Sequence, residues 1–162
     1  MDLLVHLIYD KEENIDIEIE KKHDLYDHII VLGYGRLGRK ICEKLELNNI
    51  KYIAIESNMH NVKEAQRSGQ YVIFGNAGKR SILESVNISE ASAVVIAFDN
   101  SKKLHLVCNV LSKIATKAKV VIKVNQFKEK DELLKEFPNY KIVVGTEQVA
   151  NGMVDSVLAC EI

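Results

Sequence analysis

From Asp27 onward, six short runs of apolar, often β-branched residues alternate with longer amphipathic stretches. This alternation is typical of parallel strands joined by helices that cover both faces of a sheet. Several runs are apolar almost throughout, as strands buried on both faces should be. Because such crossovers are right-handed, we predict an α/β fold of the Rossmann type: a doubly wound, parallel six-stranded sheet in the order 3-2-1-4-5-6. The predicted strands are 28–32, 52–56, 71–74, 93–97, 120–124 and 141–144.

The stretches between these runs are predicted to be helices. In the fourth stretch, Leu104, Val107, Cys108 and Leu111 recur at three- and four-residue intervals, which places one apolar stripe against the sheet. After the sixth strand, we expect Thr146 to cap a last helix. The predicted helices are 37–47, 59–68, 79–86, 102–117, 128–137 and 146–158.

Residues 1–26 have a different pattern. An apolar run is followed by a polar turn at 11–14, and then Ile15, Ile17 and Ile19 alternate with acidic residues. Period-two alternation around a polar turn predicts an extra N-terminal β-hairpin, with a solvated linker as the alternative.

We therefore expect three segments. Residues 1–26 form the hairpin or linker, residues 27–145 form the Rossmann lobe, and residues 146–162 form a C-terminal crossover helix. The end at Ile162 is expected to be a truncation before any C-terminal subdomain.

Composition excludes several classes of function. The 22 basic and 23 acidic residues give a net charge of −1, so the chain as a whole has no positive electrostatic field that would attract nucleic acid. Cys42, Cys108 and Cys160 are widely spaced and include no C-x-x-C pair, which argues against a disulfide framework or a zinc site and predicts reduced thiols in the cytosol. No apolar run approaches the roughly 20 residues that a membrane-spanning helix needs.

The first predicted strand leads into Gly33-Tyr34-Gly35-Arg36-Leu37-Gly38 and then into a helix. In this setting Gly33 permits the tight turn, Gly35 lets the backbone approach a pyrophosphate, and Gly38 lets the helix pack closely on the strand. The exposed amides and the positive end of the helix then face the phosphates. The loop predicts a nucleotide phosphate site, although three glycines can also simply form a turn.

Glu56 ends the second predicted strand about 20 residues beyond the loop. A carboxylate at this position accepts hydrogen bonds from both ribose hydroxyls and repels a 2′-phosphate. We therefore include Glu56 and the following Ser57 in the site, and favour NAD(H), ADP, ATP or AMP over NADP. The alternative is a solvated glutamate at a strand end.

No catalytic constellation accompanies the glycine loop. The histidines are scattered, and His28 opens the first strand, at the end of the sheet opposite to the ligand site. The acidic residues between 12 and 20 are better explained as a solvated strand face than as a divalent-cation site. We expect no catalysis, and a divalent cation stays an alternative cofactor that no metal-ligand pattern in the sequence supports.

Residues 29–158 resemble the regulator-of-potassium-conductance (RCK) domains, also called potassium-transport nucleotide-binding or TrkA-N domains, of bacterial potassium channels and transporters. Four segments carry the likeness: the loop 33–38; Gly75-Asn76-Ala77 followed by Ile82-Leu83-Glu84 and Ile88; Ile122-Lys123-Val124-Asn125; and Thr146-Glu147 at the start of a helix.

By position, the resemblance implies that Asn76 and Ala77 approach the adenine or its ribose. Many relatives have Asp-Ala-Thr here, whereas this chain has Asn76-Ala77-Gly78, which removes a charge and a hydroxyl. The likeness also implies that three residues after the fourth strand line the other side of the cleft: Ala97, Phe98 and Asp99.

The resemblance further implies roles for three charged residues. Arg36 and Lys123 correspond to basic residues that reach the nucleotide phosphates, in some relatives across a dimer interface, and Glu147 to an acidic residue near the same phosphates. From the residues alone, Arg36 and Lys123 are two charges among many, and a solvated surface position is the favoured interpretation of each.

The function implied by the resemblance is regulatory. Nucleotide binding would change the arrangement of a homodimer or octameric ring and thereby gate a potassium channel or transporter subunit, fused or separate, at the cytoplasmic face of the cell membrane. The alternative is the cofactor-binding half of an NAD-dependent oxidoreductase, which does not require the Lys123 and Glu147 pair. A redox-sensing transcriptional repressor of the same fold would need a basic DNA-reading module, which the sequence lacks.

Overall fold

The computed structural model describes residues 25–160, and within them six strands form a single sheet. The strands are β1 (Ile29–Leu32), β2 (Tyr52–Glu56), β3 (Val72–Phe74), β4 (Ala93–Ile96), β5 (Lys119–Val124) and β6 (Lys141–Val144). Their order is β3-β2-β1-β4-β5-β6, and every neighbouring pair is parallel. The predicted fold and strand order are confirmed. The hairpin predicted within residues 1–26 falls on residues 3–20, which lie outside the described residues.

Helices follow the strands along the chain. They are α1 (Arg36–Leu47), α2 (Met59–Arg67), α3 (Arg80–Ser85), α4 (Ser101–Ile114), α5 (Phe127–Glu136) and α6 (Gly145–Ala159), and a 3₁₀ turn lies at Ile88–Glu90. None of the helices in the described part of the chain is long and apolar enough to cross a membrane.

Two details of the helix predictions are wrong. The helix predicted over 102–117 ends at Ile114, because β5 begins at Lys119 and the residues between them reverse the direction of the chain. Thr146 does not cap α6: the helix begins one residue earlier, and the Thr146 hydroxyl donates instead to the carbonyl oxygen of Asn125 at 3.3 Å.

The sheet separates two apolar cores. Side chains of β1 alternate between them, because successive residues of a strand point to opposite faces. Ile30 and Leu32 are fully buried in the larger core beneath α3, α4 and α5, whereas Val31 is fully buried in the smaller core beneath α1 and α2. Covering both faces explains why the strand runs are apolar throughout.

His28 anchors the amino end of the sheet. Its ring is fully buried, and Nε2 donates a hydrogen bond to the Val86 carbonyl oxygen at 2.9 Å. Among the described residues, Nδ1 has no partner, which fits a neutral ring whose second nitrogen carries no proton. Desolvation by burial lowers the pKa of His28. The histidine therefore belongs to the core, at the edge of the sheet away from the predicted ligand site.

Two of the cysteines also belong to the core. Cys42 and Cys108 are free and fully buried, and burial raises the pKa of each thiol to about 12. A thiol with such a pKa is a weak nucleophile at neutral pH. Cys160 is free and exposed near the end of α6.

Candidate nucleotide-binding cleft

A cleft of about 430 Å³ opens at the carboxyl edge of the sheet. It lies where the connections from β1 and β4 depart to opposite faces, the point at which doubly wound sheets bind ligands. The cleft is lined by Gly33, Gly35, Arg36, Leu37, Ile55, Glu56, Ser57, Gly75, Ala77, Ala97, Phe98, Asp99, Lys103 and Lys123.

Two glycines shape the loop that forms the floor of the cleft. Gly33 has a φ of +97°, a left-handed conformation that favours glycine, and its amide donates to the Ile55 carbonyl oxygen at 2.9 Å. A Cβ atom at Gly38 would lie 2.9 Å from the Gly33 carbonyl carbon and closer still to its oxygen. The first turn of α1 is thus pressed against the loop, as the sequence motif predicts.

The amino end of α1 is left available to a ligand. Gly35 occupies the N-cap position and has no side chain to cap the helix, and the first turn contains no acidic residue. The first amides of a helix have no partner within the helix. Here they point, together with the positive end of the helix dipole, towards the space where phosphate is predicted.

Glu56 is fixed in place by two backbone amides. One carboxylate oxygen accepts from the Tyr34 amide at 2.8 Å, and the other accepts from the Asn58 amide at 2.8 Å. The carboxylate therefore ties the glycine loop to the connection after β2. Because each carboxylate oxygen has two acceptor positions, both retain capacity for a ribose hydroxyl.

Three cations line the cleft, and their surroundings differ. The Lys123 ammonium lies 2.6 Å from an Asp99 carboxylate oxygen and 2.6 Å from the Asn125 side-chain oxygen. Within residues 25–160, no hydrogen bond or ion pair engages the Arg36 guanidinium. The Lys103 ammonium lies over the Phe98 ring, 4.7 Å from its centroid. Of these three cations, only Lys123 has an anionic partner in the part of the chain that the structure describes.

Most of the predicted site residues line the cleft, but four do not: Tyr34, Gly38, Asn76 and Glu147. The Tyr34 ring is buried in the smaller core, so only its backbone faces the loop. The Asn76 side chain accepts from the Gly78 amide at 2.9 Å, which closes a local turn. Glu147 is half-buried in the first turn of α6. The ligand contacts predicted for these four residues, and for those that line the cleft, all stay predictions.

Sequence reasoning missed Lys103, Ile55 and Gly75 as lining residues. Lys103 is the informative omission, because it lies in the first turn of α4, the helix that follows β4 after a connection of four residues. Asn100 caps this helix by accepting from the Lys103 amide at 3.0 Å. An N-cap residue soon after a strand end is a sequence signal, since it places the following side chains at the ligand edge of the sheet.

The fold and the cleft define a Rossmann-type domain built to hold a nucleotide. A family model for the TrkA-N domain matches residues 29–152, and the chain therefore belongs to the TrkA-N family. Domains of this family are regulatory parts of potassium channels and transporters, so the chain is a regulatory domain and not an enzyme. The resemblance drawn from the four sequence segments is confirmed, and the oxidoreductase alternative is set aside.

Curated relatives include membrane transport proteins. The chain is 28% identical over 85 residues to a glutathione-regulated potassium-efflux system protein of Haemophilus influenzae, an alignment that covers 52% of this chain and 14% of the relative. It is 36% identical over 74 residues to probable potassium channel protein 2 of Methanocaldococcus jannaschii, covering 44% of this chain and 22% of the relative. The matched regions thus span less than a quarter of either relative.

Solved structures share the fold. The TrkA-N domain of the Escherichia coli inner membrane protein YbaL superposes with a TM-score of 0.72 at 22% identity, covering 82% of this chain and 97% of that one. The Shewanella denitrificans Kef C-terminal domain in an AMP-bound form gives a TM-score of 0.69 at 19% identity, covering 82% and 80%. GsuK bound to ADP gives 0.63 at 17% identity, covering 75% and 32%.

Proposed function

We propose that this chain binds an adenine nucleotide in the cleft and conveys that binding to a potassium channel or transporter as a change in the arrangement of paired domains. The observation that carries the proposal is the position of Glu56. Two backbone amides fix its carboxylate beside the glycine loop, where the amides of α1 remain uncapped. A ribose acceptor and a phosphate cradle therefore share one cleft in a TrkA-N domain.

The relatives support both halves of the proposal. The Kef domain has been solved with AMP and GsuK with ADP, and the curated relatives carry names of potassium efflux and channel proteins. By analogy, the partner is a membrane subunit, fused or separate, and the domain works at the cytoplasmic face of the membrane. A ligand shifts a conformational equilibrium only by its different affinities for the two states.

Within the adenine nucleotides, Glu56 favours NAD(H), ADP, ATP or AMP. A fixed carboxylate beside the ribose repels a 2′-phosphate, and it would also have to be desolvated against that charge. NADP is therefore expected to bind more weakly than NAD.

Isothermal titration calorimetry with the full chain tests the proposal. Wild type is expected to bind at least one of AMP, ADP, ATP and NAD, and Glu56→Gln is expected to lose about tenfold in affinity, because a charge-assisted hydrogen bond becomes a neutral one. Glu90→Gln, at an exposed residue of the 3₁₀ turn, is the matched control and should leave affinity unchanged. Absence of binding for every adenine nucleotide would refute the proposal.

A second copy of the chain is the proposed partner for α6. Along this helix, Val149, Met153 and Val157 follow one another at four-residue intervals, and each is more than 60% exposed. Val154 and Leu158 flank this stripe and are also more than half exposed. Residues four apart share a helix face, and an apolar stripe of this length in water marks an interaction surface. It supports a homodimer, from which a ring such as an octamer can be built.

Analytical ultracentrifugation of the full chain tests the dimer. Met153→Lys places a charge in the middle of the stripe and is expected to shift the chain towards monomer. Gln148→Lys adds the same charge to an exposed polar position of the same helix, on the side away from the stripe, and should leave the association unchanged. A wild-type chain that is strictly monomeric at high concentration would contradict the dimer.

A further inference from the structure

We infer that Lys103 is a second phosphate-binding cation of the cleft and that, with Arg36, it selects ligands carrying a diphosphate over those carrying a single phosphate. The inference rests on the proposed function, since it concerns the same cleft. It assigns a binding role to a residue that neither the glycine motif nor the family likeness indicates.

The distribution of ion pairs supports this assignment. Lys123 is held 2.6 Å from the Asp99 carboxylate, so a phosphate must compete with Asp99 for its charge. Arg36 and Lys103 have no anionic partner within the described residues. A phosphate can therefore pair with either cation without first breaking an ion pair. Among the described residues, Arg36 and Lys103 are therefore the cations of the cleft that no carboxylate pairs with, whereas Lys123 is paired with Asp99.

The surroundings of Lys103 hold its charge near the glycine loop. The Phe98 side chain packs over Gly33, where a Cβ atom would lie 3.4 Å from the ring. The Lys103 ammonium lies over the same ring, 4.7 Å from its centroid. An aromatic face attracts a cation without neutralising it. The Phe98 ring thus holds the Lys103 ammonium beside the glycine loop without neutralising its charge.

The two cations approach the cleft from opposite sides. Arg36 begins α1, which covers the smaller core, and Lys103 lies in the first turn of α4, which covers the larger core. Asn100 fixes the backbone at Lys103 by accepting from its amide. A single phosphate on the glycine loop would contact only the Arg36 side of the cleft, whereas a diphosphate would extend from Arg36 towards Lys103. Lys103 is therefore expected to increase the binding affinity of ADP more than that of AMP.

Calorimetric titration of ADP, AMP and adenosine into the full chain tests the inference. Lys103→Gln is expected to weaken ADP binding about tenfold, which corresponds to about 1.4 kcal/mol, to weaken AMP about twofold, and to leave adenosine unchanged. Lys103→Arg retains the charge and should keep most of the ADP affinity. The matched control is Lys102→Gln, which removes the same charge from the neighbouring exposed residue that does not line the cleft.

The outcomes separate the inference from the proposed function. Equal ADP affinities for the Lys103→Gln and Lys102→Gln variants would overturn the role of Lys103 while leaving nucleotide binding intact. Equal losses for ADP and adenosine would also overturn it, since they would show that the substitution distorts the cleft. A wild-type chain that binds none of the three compounds would refute the proposed function, and the inference with it.

Discussion

Replacing Gly38 by alanine should destabilise the domain more than any other single methyl group added to the loop. A Cβ atom at this position would lie 2.9 Å from the Gly33 carbonyl carbon and closer still to the oxygen. The new Cβ atom is attached to the backbone of α1 and would clash with the backbone of Gly33, so no side-chain rotation relieves the clash. Adding a methylene to a tightly packed site typically costs 1–3 kcal/mol, and we expect about 3 kcal/mol here.

That loss is measurable. A domain of this size has a total stability of about 5–15 kcal/mol, and each kcal/mol corresponds to about 3 °C in Tm. Gly38→Ala should therefore lower Tm by about 10 °C, with a matching decrease in the urea midpoint followed by circular dichroism. Because α1 must move away from Gly33 to make room, the phosphate loop should also lose its shape, and ADP affinity should fall with stability.

Gly152→Ala is the matched control for this experiment. A Cβ atom at Gly152, in the middle of α6, meets nothing within 4 Å. Alanine is about 1 kcal/mol better than glycine inside a helix, so this variant should be slightly more stable than wild type. The same glycine-to-alanine change is therefore expected to lower the stability at Gly38 and to raise it at Gly152. If Gly38→Ala melts within a degree of wild type, the close packing of α1 on the loop is not what requires glycine.

Three further predictions concern the loop, the core histidine and the ion pair. At Gly35 a Cβ atom meets nothing within 4 Å, so Gly35→Ala should unfold like wild type yet bind ADP at least about tenfold more weakly in calorimetry, because the methyl occupies the approach of the pyrophosphate. Burial lowers the pKa of His28 in the folded state, so below the unfolded value of about 6.5 the unfolded chain takes up a proton that the folded chain resists. Urea titrations should show stability constant above that pH and decreasing below it, and His28→Phe should reduce this slope. Asp99→Asn releases Lys123 and removes a negative charge, so ADP affinity should rise about threefold, and an unchanged affinity would place Lys123 away from the phosphates.

The fold could be predicted from the sequence because its signals are local and repeated. Runs such as Ile29–Leu32 are apolar on both sides of the strand, and the α4 stripe has helical spacing. The handedness of crossovers then leaves few arrangements of six strands. Helix ends are harder to predict from the sequence, since they depend on partners distant in sequence. Thr146, for example, bonds to Asn125 because β5 and β6 are neighbours in the sheet.

Part of the cleft could also be predicted, for a similar reason. Gly33, Gly35 and Glu56 follow strand ends at fixed spacings, so their positions depend only on the order of strands. For Tyr34, position in the loop does not predict the orientation of the side chain. A residue between two loop glycines is expected to face the ligand, but a large ring gains more from the core beneath α1 and α2, where Tyr34 is 5% exposed.

The charge available to a ligand in the cleft depends on which charged side chains form ion pairs with one another. Neither the composition of the chain nor the position of these residues in the sequence reveals those ion pairs. The chain as a whole has a net charge of −1, yet the cleft is lined by three cations and two carboxylates and so carries one net positive charge. At physiological ionic strength, exposed charges are screened beyond about 8 Å, so a phosphate responds to this local excess and not to the net charge of the chain. Because the Lys123 charge is matched by Asp99, the excess resides on Arg36 and Lys103. Nucleotide affinity should therefore decrease as salt is added, and the Lys103→Gln variant should show a smaller decrease than wild type, because it has one fewer free cation to screen.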